Sequence, residues 1–243
     1  MTLVLIAVLL VLLLLPPLGK AGLLAAVAVA AWRHLARPGA RPRPGDPGAS
    51  ALDRAHELRT PLVRVATALS IPTKAGTLAA RYEAGGRGEQ HVAALLAELT
   101  DEGWAFLYDR RLPSGSTNID GLALSPRGHV YVLDPKVMSP RFPVTVQNGR
   151  LLHGTRDVTG RLEGLMRGAR AVHSLLSTQP VPVAIIVGRL PAGRDHRVSG
   201  ARIVAAADVC DALRRMDAAR VPRQRPANFL DVAARLLPPY TGR

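Results

Sequence analysis

The stretch 118–136, "NIDGLALSPRGHVYVLDPK", constrains the fold of this chain more than any other. Two runs of alternating apolar residues flank Ser125-Pro126-Arg127-Gly128, and that turn chemistry predicts a β-hairpin. Each strand nevertheless carries a carboxylate, Asp120 in one and Asp134 in the other, where β-propensity and burial both disfavour aspartate. Register decides whether the two meet. If Pro126 opens a type I turn and Gly128 takes the left-handed position of a G1 bulge, the loop has three residues. Leu124 then pairs with Val130, and Asp120 falls opposite Asp134. Their Cβ atoms would stand about 4.5–5.5 Å apart on one face. A two-residue loop would shift the register by one and send the aspartates to opposite faces. Like charges facing each other destabilise a sheet unless something positive lies between them, and a divalent cation with oxygen ligands meets that need. Lys136, two residues on, projects from the same face.

Composition sharpens the interest in Lys136. Of the 32 basic residues only Lys20, Lys74 and Lys136 are lysines, so a compact ammonium stands at 136 where this chain otherwise uses arginine. The net charge of +14 favours a polyanionic partner, either nucleic acid or an anionic membrane surface. The charge is uneven. Residues 33–80 hold eight Lys/Arg against three acids and residues 150–243 hold sixteen against seven, whereas residues 81–149 hold seven against eight. A solvated, arginine-rich surface accounts for the flanks equally well, but less well for the acidic centre. The single cysteine, Cys210, excludes an intrachain disulfide and reads as a buried free thiol.

Residues 2–18, "TLVLIAVLLVLLLLPPL", are apolar throughout, and the apolar character resumes after Gly19-Lys20 as far as Trp32. Crossing a bilayer takes about 20 apolar residues, so residues 1–32 suit one tilted or Pro-kinked span, or a shallow re-entrant hairpin. No basic residue precedes the run, which counts against a cleaved signal peptide. Arg33, Arg37, Arg41 and Arg43 follow it, and the positive-inside rule then places the rest of the chain in the cytoplasm, tethered to the cell membrane. Residues 33–50 form a Pro/Gly/Arg-rich linker and 51–82 a helical connector; 83–206 are the domain proper and 207–243 a C-terminal helical extension. Gly85–Gly88 break the chain before a helix on which Glu89, Val92, Leu96 and Leu99 share one face, so Glu89 points inward from the first turn. A strand at 104–109 and the hairpin at 118–136 come next. A second hairpin at 142–154 has Asn148-Gly149 at its tip. A helix over 157–177, a buried strand "VPVAIIVG", a strand at 201–206 and helices at 207–219 and 227–237 complete an α/β (α+β) fold with a mixed central sheet flanked by helices.

In these residues the chain resembles the nuclease-related domain (NERD) family of the PD-(D/E)XK nucleases. The matching features are Gly88-Glu89 on a helix, "NID" at 118–120 after the "LPSGS" loop, a Pro-x-Gly turn, and Asp134-Pro135-Lys136 in the place of (D/E)-x-K. The similarity runs over about 84–206. Two departures stand out: Val137 follows the lysine where the family often has Asn, and the later helix offers Arg161, Arg167 and Arg170 where the family favours glutamine. Pro135 lacks a ladder N–H, so its strand is expected to be irregular there or to lie at an edge.

The resemblance implies a restriction-endonuclease-like core and a membrane-anchored, metal-dependent hydrolase of phosphodiester bonds, acting on nucleic acid and on DNA before RNA. Asp120 and Asp134, with Glu89 directly or through water, would hold Mg²⁺ or Mn²⁺. Lys136 would orient the nucleophile or stabilise charge on the phosphoryl oxygens. Arg167 and Arg170 are candidates for gripping backbone phosphates, or else ordinary solvated surface. His153 and His173 lack metal-ligand spacing and read as structural. Two other readings stay open: a nuclease fold that tethers nucleic acid to the membrane without cutting it, and a membrane-associated protein whose arginine-rich linker binds lipid headgroups.

Overall fold

The computed structural model of the chain describes residues 41–113, 117–191, 193 and 196–241. The expected anchor over 1–32 lies outside them, and no helix among the described residues is long and apolar enough to cross a membrane. The described residues divide into two compact units, 56–79, and 41–55 with those from 80 onwards. In the first, helix α2 (Pro61–Ala68) opens on Thr60, whose hydroxyl accepts from Val63 N at 3.4 Å, with a proline in its first turn. Helices α1 (Ala49–Leu58) and α3 (Lys74–Leu96) each run across the boundary between the units.

The second unit is built on a six-stranded mixed sheet. Its strands are β1 (Ala105–Arg111), β2 (Asn118–Leu124), β3 (Val130–Val137), β7 (Val181–Val187), β8 (His196–Val198) and β9 (Ala201–Ala205), in the order β1-β2-β3-β7-β9-β8. β3, β7 and β9 are parallel neighbours, and the other pairs are antiparallel. Between β3 and β7 the chain makes a small sheet of β4 (Val144–Gln147), β5 (Arg150–His153) and β6 (Arg156–Asp157), then helix α4 (Glu163–Leu176). The β4–β5 turn is Asn148-Gly149, both with positive φ (49° and 71°), as a tight type I′ hairpin requires. Helices α5 (Val209–Ala218) and α6 (Phe229–Leu236) follow β9.

Alternation along the strands divides the core between the two faces of the sheet. Leu122, Val132 and Ile186 join a cluster with Leu165, Ala169 and Val172 of α4 and Phe229 and Ala233 of α6. Tyr131, Leu133, Val183 and Ile185 join another with Val92 and Leu96 of α3 and Val209 and Leu213 of α5. The architecture is thus the expected mixed α/β sheet flanked by helices.

Two expectations are corrected, and one, for Pro135, is met in one of its two forms, an irregular position inside the sheet. Gly85, Gly86 and Gly88 do not break a helix; α3 runs through them. A Cβ at Gly88 would stand 2.2 Å from Val137 Cγ2, and one at Gly86 2.6 Å from Leu52 Cγ, so two of these glycines allow close packing and do not mark a boundary. Pro135 is not at an edge: β3 lies between β2 and β7. The β2–β3 ladder ends at Gly121↔Leu133, before Pro135, so no N–H is required of it on that side. Finally, the linker composition up to residue 50 does not keep the segment unpacked. Residues 41–55 belong to the second unit, and Gly48 and Ala49 are buried.

Candidate active site

The hairpin forms with the three-residue loop. Ser125 N donates to His129 O and Gly128 N to Ser125 O, both at 2.9 Å, with Gly128 at φ +79°. Leu124 pairs with Val130, and the ladder runs in register to Gly121↔Leu133. The next facing position holds Asp120 and Asp134, at the point where pairing between the strands stops. The two carboxyl groups lie close enough for Asp134 to raise the proton affinity of Asp120. Two residues further along β3, Lys136 Nζ reaches Asp134 Oδ2 at 2.7 Å. Because α3 lies so close to β3 at Gly88, its next residue, Glu89, is brought within the field of Asp134 and Lys136. The structure therefore gathers Glu89, Asp120, Asp134 and Lys136 into one cluster.

Proton affinities in the cluster follow from burial and crowding. Burial pushes Glu89 up to about 8, assisted by the negative charges of Asp109 and Asp134 and opposed by a backbone N–H from Gly48 and by Lys136. Asp120 is raised well above the usual carboxylate range, first by burial, then by Glu89 and Asp134, with Lys136 opposing. Carboxyl groups this close ionise together only at a cost, unless a cation joins them.

One member of the group escapes the sequence reading. Asp109 on β1 is fully buried. The β1–β2 register, Tyr108↔Gly121 and Arg110↔Ile119, leaves Asp109 facing Asp120, so aspartates stand at matching positions on three adjacent strands. Asp109 has φ +48°, a left-handed conformation that Asp tolerates better than most residues. Its Oδ2 accepts from Ser50 N at 2.6 Å and its Oδ1 from Asn118 Nδ2 at 2.7 Å. The available signal was a third acid inside a predicted strand, "YDRR". It has no motif to mark it, and its partners come from 9 and 59 residues away.

Arg161 also lies at this end of β3. Its Nη1 donates to Val137 O at 3.3 Å and contacts Met138 Sδ at 2.9 Å. Arg167 and Arg170 are exposed on α4, and neither is among the charges acting on Glu89 or Asp120. His153 and His173 bind backbone carbonyls, Ser139 O at 3.0 Å and Thr178 O at 2.5 Å, in agreement with structural roles.

The donor set fits a hard divalent cation in its chemistry. Glu89 Oε2 and Asp134 Oδ1 are buried oxygens without a hydrogen-bond partner, and carboxylate oxygens are the ligands that Mg²⁺ and Mn²⁺ prefer. As packed, however, no three His, Cys, Asp or Glu side chains among the described residues are grouped so that they could hold a metal ion. Lys136 takes one oxygen of Asp134.

Comparison with known proteins gives one match. Residues 84–186 fit the family model of the nuclease-related domain, a span that includes Glu89, Asp109, Asp120, Asp134, Lys136 and Arg161 and excludes Gly48 and Ser50. No curated protein and no solved structure matches the chain.

Proposed function

We propose, from the premise that the chain carries a nuclease-related domain over residues 84–186, that it hydrolyses phosphodiester bonds of nucleic acid, DNA before RNA, with Mg²⁺ or Mn²⁺. The observation that carries this reading is the pair of buried, unpartnered oxygens, Glu89 Oε2 and Asp134 Oδ1, beside two carboxyl groups whose proton affinity is raised. A group of acids held in this way gains from exchanging its protons for a cation. The divergence of β2 and β3 at Asp120 and Asp134 supports a restriction-endonuclease-like core.

Asp120, Asp134 and Glu89 would hold the metal, which when bound polarises the phosphate and lowers the pKa of bound water. The residues of the chain do the rest. Asp120 and Glu89, whose proton affinity is raised, would serve as ligands in their ionised forms. Asp134 offers Oδ1 while Oδ2 keeps Lys136 in place, 2.7 Å away. The ammonium of Lys136 is thereby fixed at the edge of the cluster, where it stabilises charge growing on the phosphoryl oxygens. The exposed Arg167 and Arg170 contribute contacts to backbone phosphates, which fix position without reading sequence. Residues 1–32 anchor the protein in the cell membrane, with the nuclease-related domain on the cytoplasmic side; the apolar run and the arginines behind it support this placement.

The test is incubation of supercoiled plasmid with the full-length chain in Mg²⁺, Mn²⁺ or EDTA, beside Asp134→Ala and Lys136→Ala. Cutting that needs metal and is lost in both variants is the expected result. Cutting that survives both substitutions sinks the reading. A second reading is favoured by one observation: Lys136 already occupies Asp134 Oδ2, and among the described residues no three acids are grouped to hold a metal ion. In that case the domain binds nucleic acid at the membrane and does not cut it, and the same plasmid would be retarded on a gel but left intact.

A further inference from the structure

The matched domain begins at residue 84, yet a group holding one of its acids comes from earlier in the chain. Ser50 N–H donates to Asp109 Oδ2 at 2.6 Å, and Gly48 packs against Gly86 of α3, three residues before Glu89. Asn118 closes the arrangement. Its Nδ2 donates both to Asp109 Oδ1 at 2.7 Å and to Ser50 Oγ at 3.1 Å, so strand β2 and the start of α1 are joined through Asp109. The segment also fits too closely to admit a side chain. Gly48 has φ +72°, and a Cβ there would stand 2.4 Å from Gly86 O; a Cβ on Gly86 would in turn meet Leu52 Cγ.

A fully buried aspartate costs several kcal/mol unless its oxygens are satisfied. Asp109 meets that cost with donors that are all neutral, and one of them is the backbone of the 48–50 segment. Its left-handed backbone interrupts the β1–β2 ladder at the register position opposite Asp120. This is a great deal of built structure for a residue that would be cheaper as a hydrophobe if only a core were required.

We propose that residues 48–50 form a strap that walls the acidic site from outside the nuclease-related domain, and that Asp109 is the positioning residue that pins the strap in place. This deepens the function proposed above and rests on it only for its catalytic consequence. With the strap docked, Gly48 sits against Gly86 and supports the turn of α3 that carries Glu89. With the strap released, that turn loses its support and Glu89 the geometry needed for ligation. The stretch that follows the apolar N-terminus thereby becomes part of the machinery, and not a passive spacer.

The experiment uses the full-length chain and reads hydrogen–deuterium exchange over residues 46–52 together with plasmid cleavage in Mn²⁺. In Asp109→Asn the backbone at 109 is preserved, because Asn also accepts the left-handed conformation. The amide can accept from only one of the two donors and presents an N–H to the other. The strap amides should then exchange about tenfold faster or more, the mark of local opening. kcat should fall while KM for plasmid holds, since the strap touches the acids and not the nucleic acid. Adding Asn118→Asp reverses the donor and acceptor between the two positions and should restore both the protection and kcat. Unchanged exchange in Asp109→Asn, or a double variant no better than the single one, overturns the proposal. Should Asp109→Asn fail to fold, Gly48→Ala displaces the strap by steric clash while leaving Asp109 intact, and the same two readouts apply. A wild-type chain that does not cut removes the hydrolytic reading alone; the exchange results still decide whether Asp109 pins the strap.

Discussion

At the scale of single residues, the site is a small set of groups whose charges are resolved locally. Lys136 is one such group. Replacing it with Ala should lower kcat by about 10²–10³, the size of effect seen when a group aimed at developing charge is removed. Lys136→Arg should recover little of it, because a planar guanidinium does not occupy the position of a compact ammonium 2.7 Å from Asp134. Steady-state cleavage assays check both. Glu89 makes a prediction about stability in metal-free buffer. Below its ordinary value of 4.5 it is protonated whether the chain is folded or not; between 4.5 and about 8 the unfolded chain releases a proton that the folded chain retains. The stability Glu89 contributes is therefore fully present below 4.5 and is lost as pH rises through about 8. Glu89→Gln should flatten that decline in a melting-temperature series from pH 4 to 9, and an equally steep decline in the variant would show that the titrating group lies elsewhere. Cys210 is buried, donates to Leu95 O at 3.2 Å, and has its thiol pushed up to about 12 by burial. In the folded chain at pH 8 it should resist alkylation by iodoacetamide and react only on unfolding.

At the scale of elements, the contact between α3 and β3 sets the geometry. Gly88→Ala gains about 0.5–1 kcal/mol of helix propensity, but its Cβ would fall 2.2 Å from a β-branched side chain that has little freedom to turn away. Overpacking costs about 1–3 kcal/mol, so the net effect should be destabilising, and Gly88→Ala with Val137→Ala should recover most of it in chemical denaturation. This contact shows why part of the fold was not legible. Glycines in sequence signal punctuation or close approach, and only the neighbour 49 positions away decides between the two. The hairpin was legible because its register depends on the turn, which is local. At the other end of the same hairpin, His129 bridges Asp217 Oδ1 at 2.6 Å and Val221 O at 2.9 Å, and all of its side chain is buried. His129→Ala would leave Asp217 buried without this partner and should cost about 3–5 kcal/mol in the same measurement.

At the scale of the whole molecule, charge would govern encounter with the nucleic acid proposed as partner. The net +14 resides in the flanks of the sequence and not in its acidic centre, so binding of nucleic acid should weaken steeply with salt, in proportion to the phosphates neutralised. The slope of log affinity against log salt measures that number, and a flat slope would remove nucleic acid as the partner. If residues 1–32 anchor the protein, their deletion should move it from the membrane fraction to the soluble one. The sequence by itself determined the α/β class, the hairpin with Asp120 facing Asp134, the D-x-K spacing and the inward Glu89, because alternation, helical periodicity and turn chemistry act over a few residues. Only the tertiary structure decided that α3 continues through its glycines, that β3 is central despite Pro135, and that the 48–50 segment bonds to the buried Asp109. Those outcomes depend on which surfaces are brought within a few ångströms of each other, and distance in space between residues far apart in the chain is set by the packing of the core as a whole.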